Sequence, residues 1–453
     1  MEAMRTRGSA VVVVGLILAL GGPTRAAPAE GPGPLRLSLA DALARALSHN
    51  LGAVLGREGV SAAGGARLAA LSGLLPNVSG RISDTRQQIN LEAFGFPIPK
   101  GTDPIVGPFT VFDARVTVTQ PLFDLTAIES ARAAARAASA AAASYEDVKD
   151  AVVAACAGLY LQAAIGGSRV DASRAQLRTA EAVYARAAAM KEAGVVPGID
   201  VLRADVQRQA QQQRLIVLEN EHAKQQLALA RAIGLPLGQA FELSDGVPYA
   251  EVAVRPMDEA LAQAYASRSD LKSALELLRA AESSRRAILG EALPSVRVTA
   301  DYGDIGRTAD TSKVTYAVGA SVRIPLFQGG RVRGRLIQAD AALAQQRAYV
   351  DDLRSGIEFE VRAACLDVTA AQQRVTVAAG ALGLAEAQLE QARDRFTAGV
   401  TSTLEVVQAQ EAVAAATENH LSARYAHGLA RLSLARASGV AEEMASQFTG
   451  GSR

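Results

Sequence analysis

AGVVPGIDVLRA, at residues 193–204, is followed about 200 positions later by AGVTSTLEVVQA, at residues 398–409. Both stretches begin with Ala-Gly-Val, and both continue to an acidic residue, Asp200 in the first and Glu405 in the second. A glycine after a helical pattern, followed by a carboxylate in a new one, marks one helix ending and the next beginning. The chain therefore contains the same helix–turn–helix twice.

Three further motif pairs show that the duplication covers most of the chain. They are an Ala-Leu pattern at 42–46 and 260–264, Leu-Pro at 75–76 and 293–294, and Pro-Leu-Phe at 121–123 and 325–327. Copies of roughly 200 residues are too long to be the repeats of a solenoid. The motifs instead indicate a duplicated structural unit.

The motif positions predict how the chain is divided. We expect a first repeat at 36–240 with a β-hairpin at 77–121, and a second repeat at 257–441 with a β-hairpin at 295–325. Residues 241–256 would link the repeats, and residues 442–453 would form a C-terminal tail.

The first 29 residues have the pattern of a secretory signal peptide. Arg5 and Arg7 precede a short apolar run at residues 11–20, and small residues lead to a predicted cleavage site near Ala26 or Ala29. No later stretch is expected to be a transmembrane helix. Any membrane span of the exported chain would therefore be built from β-strands.

Composition argues against several classes of function. The net charge is +1, which gives no support for nucleic-acid binding. Tryptophan is absent and aromatic residues make up 4% of the chain, so a thick core is not expected. Cys156 and Cys365 lie in alanine-rich helical contexts and are expected to pack as small apolar side chains.

Four segments alternate apolar and polar residues, as half-buried strands do. The clearest is residues 110–120, where Phe112, Ala114, Val116 and Val118 alternate with polar residues. Comparable alternation is found at residues 78–86, 296–302 and 315–324. Each segment has about ten residues, a length that crosses a bilayer when the strand is tilted.

Long proline-free helical patterns follow both hairpins, at about residues 125–193 and 332–398. At ~1.5 Å per residue, each helix would be about 100 Å long. Shorter helices are expected at residues 38–74, 199–232 and 404–437, so two stacked short helices would match one long helix. Four such rods could stand side by side through narrow apolar seams. An ordinary antiparallel coiled coil would explain the helices but not the strands.

Two hairpins supply four strands, and four strands cannot close a membrane barrel. Since open sheet edges are not tolerated in lipid, the barrel must be shared between subunits, and two, three or four copies would serve. The predicted fold class is therefore mainly α with a β-barrel part. Its duplicated unit would supply long antiparallel helices, forming an α-barrel, and two transmembrane β-hairpins.

Taken in order, the duplicated unit, both Pro-Leu-Phe strand ends and both Ala-Gly-Val turns resemble the TolC-like outer-membrane efflux proteins, over residues 36–441. The resemblance implies a homotrimer with a twelve-stranded barrel in outer-membrane lipid, closed by trimerisation. It implies a helical barrel across the periplasm and a small mixed region at mid-height. It also implies a periplasmic adaptor and an inner-membrane pump of the RND, MFS or ABC type as partners.

Strand alternation predicts which residues face lipid and which face the lumen. The predicted lipid-facing residues are Val116, Val118, Val298, Val318 and Val322. The predicted lumen-facing residues are Arg115, Thr117, Arg297 and Thr315.

The resemblance implies that the two helix turns close the channel and contact the adaptor. The predicted docking residues are Gly194, Val195, Gly399 and Val400. The candidate gate and selectivity residues are Asp200, Phe396, Glu405 and Gln408. The two carboxylates would act as charges at helix N-termini, as a ring repeated by symmetry, or as both.

Three positions depart from the pattern common in the family. Gln408 stands where a second acidic residue is frequent, Phe396 where a tyrosine is frequent, and Thr401 where an arginine is frequent. These differences put an aromatic–charge lock in doubt and leave an apolar constriction by Phe396 as the alternative.

The sequence contains no recognisable catalytic or metal-binding pattern. No P-loop is present, and His420 and His427, two helical turns apart, are expected on a solvated face. Asp301, Asp304 and Asp310 lack EF-hand spacing and are expected in the polar loop of the second hairpin. We therefore expect no enzymatic activity, no metal and no cofactor.

These features favour a passive exit duct that serves small-molecule efflux or type I secretion of proteins. One alternative is a periplasmic adaptor, which would have one helical hairpin flanked by lipoyl-like β segments. The other is a surface coiled-coil adhesin, which would lack the paired strands.

Overall fold

The computed structural model describes residues 35–95, 97–99, 101–245 and 256–441. The predicted signal peptide and C-terminal tail, and most of the predicted linker, lie outside the described residues. The strands of the described part are β1 (Leu35–Leu37), β2 (Asn77–Asn90), β3 (Ile105–Phe123), β4 (Phe241–Leu243), β5 (Ser295–Gly306) and β6 (Lys313–Arg323). The α-helices are α1 (Leu39–His49), α2 (Leu51–Ser72), α3 (Leu125–Glu192), α4 (Gly198–Ala232), α5 (Met257–Ser267), α6 (Ser269–Gly290), α7 (Arg331–Thr397) and α8 (Thr403–Ala437).

Both halves of the chain follow the predicted order of elements. Helices of 11 and 22 residues precede each hairpin, and a helix of 68 or 67 residues and then one of 35 residues follow it. The prediction of one helix at 38–74 is wrong, because Asn50 separates α1 from α2. Its backbone is extended, with ψ 130°, and its side chain accepts a hydrogen bond from the Gly52 N–H at 2.8 Å. Arg268 interrupts the second copy at the matching place.

The helices form four rods that lie side by side. α2 and α4 contact α3 on one side, whereas α6 and α8 contact α3 and also α7. α6 reaches the first half of α3, where Arg136 lies 3.3 Å from Glu276, and α8 reaches the second half, where Arg169 lies 2.6 Å from Glu418. The wall therefore runs α2/α4, α3, α6/α8, α7, with each short pair matching a long helix as their lengths predicted.

The main hydrophobic core lies at mid-height, where α3 crosses a small parallel sheet of β1 and β4. Contrary to expectation, α3 contains one window long and apolar enough to cross a membrane, with a mean hydropathy of 1.5. Half of that window is buried in the protein. α3 buries Val153, Cys156 and Tyr160 in the same cluster as Leu37 and Ile233, so the apolar stretch of α3 is explained by packing at mid-height.

Tyr160 connects that core to the small sheet. Its ring is 1% exposed, and its hydroxyl donates a hydrogen bond to the Leu37 carbonyl at 3.0 Å. The same hydroxyl accepts a hydrogen bond from the Asp245 N–H at 3.2 Å. One side chain therefore satisfies two backbone groups on the segments that enter and leave the mid-height region.

The second sheet contains four antiparallel strands in the order β2-β3-β5-β6, so β3 and β5 join the two hairpins. Its strands contain 14, 19, 12 and 11 residues and are longer than predicted. Asp301 and Asp304 therefore lie within β5, and only Asp310 lies in the connecting turn, which corrects the prediction that all three occupy the loop. Among the described residues, β2 and β6 each have one edge without a partner strand.

We predict that Tyr160→Phe lowers stability by about 1–3 kcal/mol, because the Leu37 carbonyl and the Asp245 N–H lose their shared partner inside the protein. The measurement is the midpoint of thermal unfolding, followed by helical circular dichroism of the detergent-solubilised protein. Tyr349→Phe is the matched control, since that ring is 55% exposed. Equal midpoints for the two variants would contradict the role assigned to the Tyr160 hydroxyl.

Candidate functional site

The far ends of the long helices carry two nearly identical turns. Gly194 and Gly399 each have φ of 73°, a left-handed conformation that favours glycine. The Gly194 N–H donates to the Lys191 carbonyl and the Val195 N–H to the Met190 carbonyl, both at 2.9 Å. This is the Schellman pattern of helix termination, and the second turn repeats it. The duplicated Ala-Gly-Val motif therefore encodes two identical helix ends.

The outer surface of these turns is apolar and open. Val195 is 62% exposed and Val400 is 70% exposed. A Cβ atom added at Gly194 or Gly399 would meet no other atom within 4 Å. The four predicted docking residues thus form two small apolar projections with free space around them.

Behind the turns, α3, α4, α7 and α8 share a compact cluster of apolar side chains. Phe396 is 4% exposed there and packs with residues such as Val406 and Ala187. The prediction of an apolar constriction by Phe396 does not fit this packing, because the ring is enclosed by helices of its own chain. Its role here is to set the spacing of the helices behind the turns.

The two predicted tip carboxylates lie in the first turns of α4 and α8, as expected of charges at helix N-termini. Asp200 is 6% exposed and lies 3.4 Å from Arg203. Glu405 lies 2.7 Å from Arg395 at the end of α7, and it also accepts a hydrogen bond from Thr401. Gln408 is exposed. Each carboxylate thus has an arginine partner in its own chain. The ring of carboxylates repeated by symmetry stays a prediction.

A cavity of about 280 Å³ lies among the helices between the tip cluster and mid-height. Gln176, Gln211 and Gln410 line it, and among the described residues the side-chain oxygens of all three lack a hydrogen-bond partner. The sequence pattern did not indicate this cavity, because glutamine is common on helix surfaces. The helical wall is therefore less densely packed here than at the turns.

The register of the four-stranded sheet places the predicted barrel residues on two faces. Val118 lies opposite Ala300, which lies opposite Val318, and Val116 lies opposite Tyr302. Since facing residues share a side and alternate residues return to it, all five predicted lipid-facing valines lie on one face. Thr117, Arg297 and Thr315 lie with Arg115 on the other face.

The valine face is strongly exposed in the single chain. Val318 is 72% exposed, Val322 is 60% exposed and Val116 is 48% exposed, with Tyr302 and Tyr316 exposed beside them. A continuous apolar face of this kind needs an apolar environment. This supports the prediction of lipid contact.

An ion-pair cluster on the opposite face links the two hairpins. Arg115 on β3 lies 2.5 Å from Asp301 on β5 and 2.9 Å from Asp113 on its own strand. Gly303 lies opposite Arg115 and has no side chain to block the path of the Arg115 side chain to Asp301. A Cβ atom at position 303 would lie only 2.3 Å from the Arg115 Cβ atom. This pairing could not be predicted from the sequence, because no local pattern indicates that β3 and β5 are neighbours.

Catalytic and metal-binding groupings find no support in the part of the chain that the structure describes. No group of three or more His, Cys, Asp or Glu side chains there could hold a metal ion. Burial raises the pKa of the Cys156 thiol to about 12, which disfavours the reactive thiolate. The expectation of a solvated face at His420 and His427 is wrong for His427, which is 1% exposed because α8 lies between α3 and α7.

Comparison with solved structures supports the predicted fold. The outer membrane protein VceC of Vibrio cholerae superposes with a TM-score of 0.76, over 88% of this chain and 96% of that one, at 19% identity. The prediction of a TolC-like channel fold is confirmed.

Two curated relatives are similar in sequence. The outer membrane efflux protein BepC of Brucella suis is 30% identical over 157 residues, 34% of each chain. The pyoverdine export outer membrane protein OpmQ of Pseudomonas aeruginosa is 26% identical over 296 residues, 62% of this chain and 60% of that protein. The chain thus spans about a third and about three fifths of the lengths of these relatives.

The family model described as outer membrane efflux protein matches residues 43–235 and 260–440, which is most of the chain. Neither the adaptor nor the adhesin alternative is supported. The chain belongs to the outer membrane efflux protein family.

Proposed function

We propose that the chain assembles as a homotrimer and forms a passive exit duct through the outer membrane. The observation that carries this proposal is the four-stranded sheet, in which β2 and β6 each have one edge without a partner strand among the described residues, and which has one face of exposed valines. Three copies would pair these edges into a twelve-stranded barrel, and the helical rods would continue it through the periplasm. Such a duct binds no cofactor and catalyses no reaction.

The duct would receive cargo from an inner-membrane pump through a periplasmic adaptor. The pump would be of the RND, MFS or ABC type, and the cargo small molecules or, in type I secretion, proteins. The exposed Val195 and Val400, beside glycines with open space around them, offer shallow apolar contacts for adaptor helices. A trimer would present six such turns.

The duct itself is tested by purifying the full-length protein from outer-membrane fractions and inserting it into planar lipid bilayers. A heat-resistant trimer that conducts ions is the expected result. A monomer, or a trimer without conductance, would contradict the proposed duct.

We predict that Val318→Arg impairs trimer assembly, because arginine near the middle of the lipid face costs about 2–4 kcal/mol. Ala317→Arg is the matched control. Ala317 is the adjacent residue, it belongs to the other face of the sheet, and its partner on β5 is Asp301. The measurement is the yield of heat-resistant trimer in the outer membrane. Equal yields for both variants would mean that the assignment of faces is wrong.

The Arg395–Glu405 pair should control the ionic character of the periplasmic mouth. We predict that Arg395→Gln raises potassium over chloride permeability by uncovering the carboxylate. Glu405→Gln should lower this ratio, and the double variant should return close to the wild type. Reversal potentials in a potassium chloride gradient provide the measurement. An unchanged ratio in all three variants would limit Glu405 to the role of a helix-end charge.

Gly399→Trp and Gly194→Trp should leave the trimer in the outer membrane but abolish export, because the indole ring would occupy the space proposed for the adaptor. Gly399→Ala is the control for backbone strain, since its only expected cost is the strain of the left-handed backbone conformation, about 1–2 kcal/mol. Export activity and cross-linking to the adaptor are measured, with trimer yield as the reference. Normal export by a well-assembled Gly399→Trp channel would move the docking site to the sides of the helices.

A further inference from the structure

The face of the barrel sheet opposite the valines carries an excess of positive charge. Its acidic residues are Asp113 and Asp301. Its basic residues are Arg81, Arg115, Arg297, Lys313 and Arg323. Five positive and two negative charges leave a net charge of +3 on this face of each chain.

The strand register places these residues on one face of the sheet. Arg81 lies directly opposite Arg115, which lies opposite Gly303, which in turn lies opposite Thr315. The other charged residues stand an even number of positions from these along continuous strands. Because side chains alternate between the faces of a strand, they share the same side of the sheet.

Arg115 alone contacts both carboxylates of this face, at 2.9 Å from Asp113 and 2.5 Å from Asp301. The remaining basic residues, Arg81, Arg297, Lys313 and Arg323, are exposed. Within the described ranges, none of these four forms an ion pair within 4.0 Å. They are therefore available to ions in solution, and we name them the basic belt.

The opposite face of the sheet does not have this excess. The valine face carries Asp84, Arg86 and Asp304, all toward the hairpin loops. At the mouth, Asp200 and Glu405 each have an arginine partner. Of the two faces of the sheet, the one opposite the valines therefore carries the excess of positive charge.

We propose that the basic belt makes the barrel selective for anions and favours small cargo that carries carboxylate, phosphate or sulfonate groups. The inference rests on the proposed duct, because only a closed barrel puts this face on a water-filled lumen. Threefold repetition would place twelve unpaired cations around the lumen, and low-dielectric walls focus such charge onto passing ions. Lysine and arginine rings are the usual lining of anion pores.

The test compares the wild-type trimer with the Arg81→Gln/Arg297→Gln double variant in planar bilayers under a potassium chloride gradient. The chloride-over-potassium permeability ratio should fall several-fold in the double variant, whatever the mouth contributes. Asp113→Asn should change the ratio in the opposite direction, because it frees part of the Arg115 charge. Arg86→Gln removes one positive charge from the other face and should leave the ratio unchanged.

Inorganic tripolyphosphate, added on the barrel side, provides a second readout. It should reduce wild-type conductance more strongly than that of the double variant. If the double variant assembles poorly, Lys313→Gln/Arg323→Gln removes two different belt charges, both on β6, and the same fall is expected.

The outcomes separate this inference from the duct on which it rests. A wild-type trimer that forms no pore would overturn the proposed duct and the selectivity with it. A conducting trimer whose permeability ratio and tripolyphosphate block do not change in the belt variants would overturn the selectivity alone.

Discussion

The free edges of the four-stranded sheet are the constraint on which the rest of the molecule depends. In hydrocarbon, each backbone N–H or C=O without a partner costs several kcal/mol, and water is not there to replace it. β2 and β6 each leave one edge unpaired in the described residues, so the sheet is suited to a membrane only when other copies close it. Closure by other copies would also fix how the helices beneath meet, because each helical rod continues from a strand of the four-stranded sheet.

A wall one helix thick explains the composition of the chain. Each rod must contact a neighbour on both flanks, and alanine lets helix axes approach closely while leaving little apolar volume exposed. Larger side chains are therefore concentrated in clusters, chiefly around Tyr160 at mid-height, around Ile357 on α7 and around Phe396 behind the turns. The cavity lined by glutamines lies between the Tyr160 cluster and the Phe396 cluster.

The duplication, the order of elements and the ends of the long helices could be predicted from the sequence, because proline-free periodicity and glycine turns are local signals. Leu389 and Phe396 stand seven residues apart on α7, a spacing that favours a buried seam over an apolar constriction at Phe396. The break at Asn50 was detectable as an asparagine N-cap, whereas Arg268 has no such signal. The pairing of Arg115 with Asp301 depends on contact between hairpins distant in the sequence, which periodicity does not record.

The acidic residues at the helix turns are paired with arginines, whereas the basic belt on the sheet is unpaired within the described part of the chain. Secondary structure explains this difference. At a helix end, an arginine a few residues away or on the adjoining helix reaches a carboxylate easily, as at Asp200 and Glu405. On the strands, Arg297 lies opposite Pro121 and Ser321, and Arg323 lies opposite Ser295, so none of these partners neutralises a charge. Serine and threonine side chains alone would suffice to hydrate a lumen. Like charges on one face of a sheet also repel each other, so extra cations are unfavourable for the fold. Four unpaired cations per chain therefore exceed what hydration of the wall requires, and this excess favours a role in the passage of anions.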